Sequence, residues 1–299
     1  MNAFGRLLSF LVFVCFSFGA VGLAWSSDHE LDTLYSNSDQ QRLTSFKTTK
    51  RIDFFARKFL NEKAPYVVNP LGEGADSEFE KGPLYRFDAF DCTTFVETVM
   101  ALSFARTAGD FLPVLNQIRY KNGIVSYQTR NHFPSLDWIP NNIQNGFVRD
   151  ITSAIDPNHF QTSRTWIEKD SWIKMKGVDY QPLSGLFNKQ WASVNYITKE
   201  ALLTQPQLLE KIPSGSIFHV VRPQWNLTAA IGTQLDISHV GFLIREEGLL
   251  YIIHASNGVR DGSSDYKGVK KELLLSYIER VMMKSPSMAG LNVLQILEY

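Results

Sequence analysis

A cysteine at a predicted helix start is the residue whose setting points most clearly to chemistry. Cys92 directly follows Asp91, and the apolar residues Phe95, Val99 and Leu102 recur behind it at helical spacing. Asp is a favoured N-cap residue, so Cys92 is expected at the first helical position, where free backbone N–H groups and the helix dipole favour a thiolate. The pattern therefore indicates a nucleophile for covalent catalysis, with a buried, inert thiol as the alternative interpretation.

Two histidines supply the partner that a catalytic thiol needs. His239 and His254 lie in two strand candidates that are joined by residues 245–248. If this four-residue loop closes a hairpin, Ile244 pairs with Leu249, and the two histidines face each other with Cβ atoms about 4.5–5.5 Å apart. One imidazole could then act as a base toward the thiol while the other fixes its tautomer. Two solvated histidines at a strand end are the alternative.

The elements that must position these residues are arranged with helices first and a sheet last. A helix is predicted over residues 38–61, and the cysteine helix is expected to end near Gly109. Residues 112–208 have an irregular, aromatic-rich pattern of short elements, and residues 272–282 are predicted to be helical. This order predicts an α+β fold in which the catalytic helix packs on a mostly antiparallel sheet. The strand candidates of the last third are residues 217–221, 240–244, 249–253 and 292–297.

The first residues indicate export. Arg6 provides a positive charge, residues 7–20 are apolar and uncharged, and Ala24 is a small residue of the kind that a signal peptidase recognises. We therefore predict that residues 1–24 form a signal peptide and that residues 25–299 form a single periplasmic or secreted domain with no stable membrane partner. An uncleaved anchor is the alternative, because the apolar stretch is near the lower length limit of a membrane span.

Composition narrows the classes of partner. The chain has 30 Lys and Arg against 30 Asp and Glu, so its charge gives no electrostatic grip on nucleic acid. Cys15 lies in the predicted signal, which leaves Cys92 as the cysteine of the exported protein. A zinc site formed by Cys92, His239 and His254 is a competing interpretation. No CxxC or HxxxH spacing accompanies these residues, so we predict neither a metal nor a cofactor.

The ordered set of motifs resembles a known superfamily. It is similar to the NlpC-type, papain-like cysteine peptidases of bacterial cell walls, and within them to the N-acetylmuramoyl-L-alanine amidase-like family. The resemblance covers roughly residues 52–297 and implies a papain-like fold with a large insertion between the helix and the sheet. The motifs that carry it are Asp91-Cys92-Thr93-Thr94-Phe95-Val96-Glu97, Pro65-Tyr66, Gly215-Ser216-Ile217-Phe218, His239-Val240-Gly241, His254-Ala255-Ser256 and residues 130–142.

The resemblance implies a role for each matching position. Cys92 matches the nucleophile, His239 the general base and His254 the polar third member of the triad. Tyr66 matches a tyrosine on the substrate side of the cleft, and Asp91 matches a residue that caps the helix and can meet the substrate amine.

Three residues between the helix and the sheet are candidates for the cleft wall. His132, Asp137 and Trp138 lie within the segment that resembles a family signature. An exposed Trp138 next to Asp137 suits stacking on a sugar ring, whereas a loop-packing aromatic residue among ordinary turn residues is the alternative. The sequence departs from the family at Ser216, where an acidic residue is usual, so a substrate contact at that position is in doubt.

Taken with the resemblance, the residues predict an enzyme that acts on amide bonds of peptidoglycan or muropeptides. The expected reaction is acyl transfer through a thioester, and the expected bond joins N-acetylmuramic acid to L-alanine. Cleavage within the stem peptide, between D-glutamate and the third residue, is the first alternative. A wall-binding relative that has lost turnover is the second.

Overall fold

The computed structural model describes residues 29–36, 43, 45–258 and 266–298. The predicted signal peptide at residues 1–24, including Cys15, lies outside these residues. Among the described residues, no helix is both long and apolar enough to cross a membrane.

Three helices are longer than the rest, and the middle one, Cys92–Phe104, packs against the other two. Helix α2, which is Cys92–Phe104, buries every residue from 94 to 104, polar ones such as Glu97 included, so it is enclosed in the core. A further helical segment covers residues 29–36, and single π-helical segments cover Pro134–Trp138 and Ile278–Met282. Short 3₁₀ segments cover Lys121–Gly123 and Val178–Leu183. The α-helices are α1 Thr48–Asn61, α2 Cys92–Phe104, α3 Ala108–Arg119, α4 Ile139–Gln144, α5 Thr152–Ile155, α6 Lys169–Met175, α7 Lys199–Thr204, α8 Pro206–Glu210, α9 Thr228–Ile231 and α10 Leu274–Tyr277.

One eight-stranded sheet forms the other layer. Its strand order is β2-β3-β8-β4-β5-β6-β7, with β1 also paired to β8, and each of these pairs is antiparallel. The expected α+β class with a mostly antiparallel sheet is therefore confirmed. The strands are β1 Val148–Asp150, β2 Gln161–Glu168, β3 Lys189–Thr198, β4 Ser216–Asn226, β5 Gln234–Glu246, β6 Leu249–Ser256, β7 Gly268–Leu273 and β8 Gly290–Ile296.

The two faces of the sheet belong to different apolar clusters. Helices α1, α2 and α3 pack on one face, where the rings of Phe95 and Phe242 lie 5.8 Å apart. Helix α10 and the π segment after it cover the opposite face, together with α7 and α8. Successive side chains of a strand point to opposite faces of the sheet. Residues of β4, β5 and β6 therefore point alternately toward α2 and toward α10.

Several predicted boundaries differ from the structure. Helix α1 begins at Thr48, and part of the predicted 38–61 segment lies outside the described residues. Helix α2 ends at Phe104 rather than near Gly109, because Ala105 adopts an extended conformation before α3 begins. The helix predicted at residues 272–282 is wrong at its start, since Glu272 belongs to β7. Pairing of β7 with β6 overrides the apolar pattern that indicated a helix there.

The predicted hairpin register is wrong by two residues. Ile244 pairs with Tyr251, not with Leu249, and a two-residue turn formed by Glu247 and Gly248 replaces the expected four-residue loop. Both turn residues have positive φ, 50° and 81°, as a type I′ hairpin turn requires. A shift of two residues leaves the facing of every side chain unchanged, so the expected side of the sheet was correct.

Candidate active site

A reciprocal cap fixes the start of the cysteine helix. The Asp91 carboxylate accepts a 2.8 Å hydrogen bond from the Thr94 amide, and the Thr94 hydroxyl accepts a 3.0 Å hydrogen bond from the Asp91 amide. This capping box satisfies two donors that the helix end would otherwise leave unpaired. Cys92 is therefore the first residue of α2, as its sequence setting predicts.

The Cys92 thiol is free, half-buried and held against strand β5. Burial, and to a smaller extent the nearby Asp91 carboxylate, raises the pKa of Cys92 to about 12, against the lowering effect of hydrogen bonds from Thr93 and from the Val240 amide. Burial therefore outweighs the helix-start effect that the sequence suggests. The thiol is therefore the favoured form of Cys92 at neutral pH.

Two imidazoles form a close pair on the α10 side of the sheet. Nε2 of His239 lies 2.6 Å from Nδ1 of His254, whose side chain is 1% exposed. The ring centroid of Tyr277 is 5.6 Å from that of His254, and that of Phe218 is 6.0 Å from that of His239. These aromatic neighbours restrict both rings to one arrangement.

A glycine and a bulge bring the two histidines together. Gly241 lies beside His254, and a Cβ atom at position 241 would be 2.7 Å from the Cβ of His254. In the β4–β5 pair, Val220 is opposite His239 but Val221 is opposite Ile237, so Ser238 is the extra residue of a β-bulge. Bulges redirect the side chains beside them, and this one sets the direction of His239.

The environment of His239 keeps the imidazole neutral. Burial lowers the pKa of His239 well below its ordinary value, and the charges of His254, Lys270 and His219 lower it further. A neutral imidazole has one free lone pair, which can accept a proton. A neutral thiol and a neutral imidazole are therefore the stable resting forms of this site.

Glu272 extends the pair into a chain that sequence reasoning missed. Its Oε1 atom lies 3.0 Å from Nε2 of His254, and the carboxylate also forms an ion pair with Arg280. Lys270 lies 3.6 Å from the same Oε1 atom. Because Glu272 was expected in a helix, its position across from β6 was not foreseen. One signal in the sequence could have indicated a strand. Val269 and Leu273 are apolar and an even number of residues apart, so in a strand both would face the same side of the sheet, with charged residues between them.

One cavity of about 310 Å³ contains the predicted triad. Burial raises the pKa of Tyr66, and the nearby Cys92 and Asp91 raise it further, which indicates that the phenol lies close to the thiol. Trp225, another residue that the sequence did not single out, is half-exposed and stacks on Arg222 at 4.0 Å. The cavity is lined by Tyr66, Cys92, Trp225, Ser238, His239, His254, Ala255, Ser256, Asn257, Tyr277, Val281 and Met288.

The three cleft-wall candidates lie elsewhere. Trp138 is 3% exposed and its indole N–H donates a 3.1 Å hydrogen bond to Glu97, so the expectation of an exposed ring is wrong. His132 hydrogen-bonds the Tyr127 carbonyl, and Asp137 pairs with Lys169. His132 and Trp138 line a separate cavity of about 40 Å³. A substrate contact by any of the three stays a prediction.

The nitrogen atoms that a metal ion would need on His254 already have partners within the protein. Both ring nitrogens of His254 already contact protein partners, His239 on one side and Glu272 on the other. In the described part of the chain, no group of three or more His, Cys, Asp or Glu side chains is arranged to hold a metal ion.

A thiol at a helix start and a histidine pair on an antiparallel sheet are features of a class of hydrolases that act on amide bonds. Residues 54–282 match the family model described as AmiA-like, N-acetylmuramoyl-L-alanine amidase-like. The chain belongs to this family. Membership supports a cell-wall amidase-like function and peptidoglycan as the substrate. No curated protein matches the chain.

Solved structures of other proteins are similar to this chain, including one from Legionella pneumophila and one from Bacteroides uniformis. A Legionella pneumophila protein of the DUF1460 family has a TM-score of 0.84 and 29% identity, with 94% of this chain and 98% of that chain covered. An N-acetylmuramoyl-L-alanine amidase from Bacteroides uniformis has a TM-score of 0.59 and 26% identity, with 82% of this chain and 98% of that chain covered.

Proposed function

We propose that this chain is an exported peptidoglycan hydrolase that cleaves the amide between N-acetylmuramic acid and L-alanine through a Cys92 thioester. The observation that carries the proposal is the shared cavity, in which Cys92 lies together with the His239–His254 pair. A thiol, a base and a residue that orients the base are the parts that a papain-like mechanism requires. In this proposal residues 25–299 form one domain after the signal peptide is removed.

The neutral resting pair determines the order of proton transfers. His239 takes the proton of Cys92 as the sulfur attacks the amide carbonyl, because neither group is stable in its charged form beforehand. The tetrahedral intermediate then collapses when protonated His239 donates its proton to the leaving amine of L-alanine. A water molecule, deprotonated by the same imidazole, hydrolyses the thioester and releases the lactyl carboxylate of the sugar.

Two residues near the thiol are suited to stabilise the oxyanion and the substrate. The raised pKa of Tyr66 keeps its phenol protonated, so the hydroxyl can donate a hydrogen bond beside the backbone N–H groups of the helix start. Asp91 holds that helix start in place, and the resemblance to relatives is the basis on which we assign it a contact with the substrate amine.

An aromatic ring in the cavity offers a contact for the sugar. Trp225 lines the same cavity as Cys92, and Arg222 covers one face of its indole. A ring fixed on one face and open toward a cavity provides an apolar platform for the C–H face of a pyranose. We therefore assign to Trp225 the sugar contact that the sequence suggested for the buried Trp138.

Mass spectrometry of a muropeptide digest tests the proposal. Purified protein should release a free disaccharide and an intact stem peptide, and the Cys92→Ala variant should release neither. A disaccharide that still carries L-Ala-D-Glu would instead indicate the endopeptidase activity expected of some relatives. Binding without any product would indicate a wall-binding protein.

His254→Asn should retain more activity than His254→Ala, because an amide oxygen can still accept a hydrogen bond from His239.

A further inference from the structure

We propose that Glu272 is a positioning residue that fixes the tautomers of both histidines, so that Nδ1 of His239 is the atom that accepts the Cys92 proton. The inference rests on the proposed function, since it assigns a role within that triad. The observation behind it is a chain of two hydrogen-bond contacts. His239 Nε2 lies 2.6 Å from His254 Nδ1, and His254 Nε2 lies 3.0 Å from Glu272 Oε1.

The direction of each hydrogen bond follows from the carboxylate end. Arg280 and Lys270 flank Glu272 with two positive charges, which favour the ionised carboxylate. An ionised carboxylate can only accept, so Nε2 of His254 carries a proton, and in the neutral form of His254 the other ring nitrogen carries none. Nδ1 of His254 then has a lone pair and accepts the Nε2 proton of His239. Nδ1 of His239 is consequently left unprotonated.

Without the carboxylate, the contact at Nε2 of His254 that selects this arrangement over its reverse is lost. His254 could then donate from Nδ1 to Nε2 of His239, and Nδ1 of His239 would carry the proton instead. In that tautomer the atom required as the base is already occupied. Loss of tautomer control in a serine-protease triad lowers kcat about 10⁴-fold, which shows how large such an effect can be.

The fold holds Glu272 firmly enough for this role. Glu272 lies on β7 directly opposite Ile252, while His254 is opposite Lys270, so Glu272 and His254 are diagonal neighbours on one face. Arg280 reaches the carboxylate from the π-helical segment Ile278–Met282, on a different element. The side chain of Glu272 is 14% exposed, so solvent weakens these contacts only slightly.

The effect of removing Glu272 is expected to appear in kcat rather than in KM, because Glu272 does not line the cavity. Glu272→Ala should lower kcat about 10- to 100-fold, the range typical of groups that orient a functional imidazole from behind. Glu272→Gln should lower kcat less, since its amide oxygen can still accept from His254. Glu246→Ala is the matched control: it removes a carboxylate that pairs with Arg57 and Lys271 away from the histidines.

A double-mutant cycle separates tautomer control from a structural role. In a His254→Asn background the amide has no tautomers, so adding Glu272→Ala should lower kcat less than 3-fold. A purely structural role would produce the same loss in both backgrounds and would overturn the proposal. Thermal melting of each variant checks that it folds.

A second readout does not depend on peptidoglycan hydrolysis. The rate at which iodoacetamide alkylates Cys92 should fall in Glu272→Ala near neutral pH, and its pH profile should move to higher pH, because fewer molecules carry a free lone pair on His239 Nδ1. A profile identical to that of the wild type would contradict the proposal. Failure of the proposed function has a different signature, namely hydrolysis that persists in Cys92→Ala.

Discussion

Gly241→Ala should break the hydrogen bond between His239 and His254, although it replaces neither histidine nor Cys92. A Cβ atom at this position would lie 2.7 Å from the Cβ of His254, 2.8 Å from the Phe218 ring and 2.9 Å from the Ile253 carbonyl oxygen. Contacts this short are not tolerated, and the backbone around position 241 is paired on both sides, to β4 and to β6. His254 therefore has to move.

The size of the effect follows from that displacement. Adding a methyl group to a packed site of this kind costs about 1–3 kcal/mol of stability. The 2.6 Å hydrogen bond between His239 and His254 cannot survive a shift of about 1 Å, and misplacement of that order reduces turnover about 100-fold. The variant should thus lose far more activity than stability.

Urea unfolding and kcat on muropeptides measure the two effects separately. Gly109→Ala is the matched control, since the nearest atom to its new Cβ is the Thr107 hydroxyl at 3.8 Å and the position lies in helix α3. Alanine there should be neutral or slightly stabilising. If Gly241→Ala retained wild-type kcat and stability, the argument that this glycine allows the close approach of His254 would be refuted.

Three further predictions address the base, the sugar contact and a buried carboxyl. His239→Ala should reduce hydrolysis as far as Cys92→Ala does, about 10⁴-fold or more, because residues that act as a unit fail together; substantial residual activity in either folded variant would contradict this. Trp225→Ala should raise KM about 10-fold for sugar-bearing substrates and leave KM unchanged for an alanyl amide without a sugar. Steady-state kinetics on both substrates measures the difference. Burial raises the pKa of Asp236 to about 6, so its ionisation opposes folding: the unfolded carboxyl ionises near 3.8, and stability should fall as pH rises from about 4 to 6 by up to roughly 3 kcal/mol. Asp236→Asn should remove that part of the slope in denaturant unfolding at several pH values, and an unchanged slope would show that this carboxyl does not cause it.

The parts of the site that local sequence specifies were predicted correctly. An Asp followed by a cysteine and an apolar helical stripe was enough to identify the start of α2, because capping depends on neighbouring residues alone. The facing of His239 and His254 was also correct although the register was wrong by two residues. Facing depends only on whether the shift is even, whereas the register depends on the turn geometry at Glu247 and Gly248.

The parts that depend on tertiary pairing were missed. Glu272 was expected at the start of a helix over residues 272–282, whereas the even spacing of Val269 and Leu273 just before and within that segment also fits a strand. Its contact with His254 arises only when β7 pairs with β6. A polar residue precedes both Trp138 and Trp225 in the sequence, and the tertiary structure distinguishes the buried ring, which packs against Glu97, from the ring that lines the cavity.

The thioester on Cys92 is the most direct test of the mechanism. Wild-type protein mixed with muropeptide and quenched in acid within the first turnovers should show, by intact-protein mass spectrometry, an added mass equal to the disaccharide acyl group. Peptide mapping should locate this adduct on Cys92, and addition of hydroxylamine should remove it. Hydrolysis that proceeds without any adduct, and that continues in Cys92→Ala, would contradict the account.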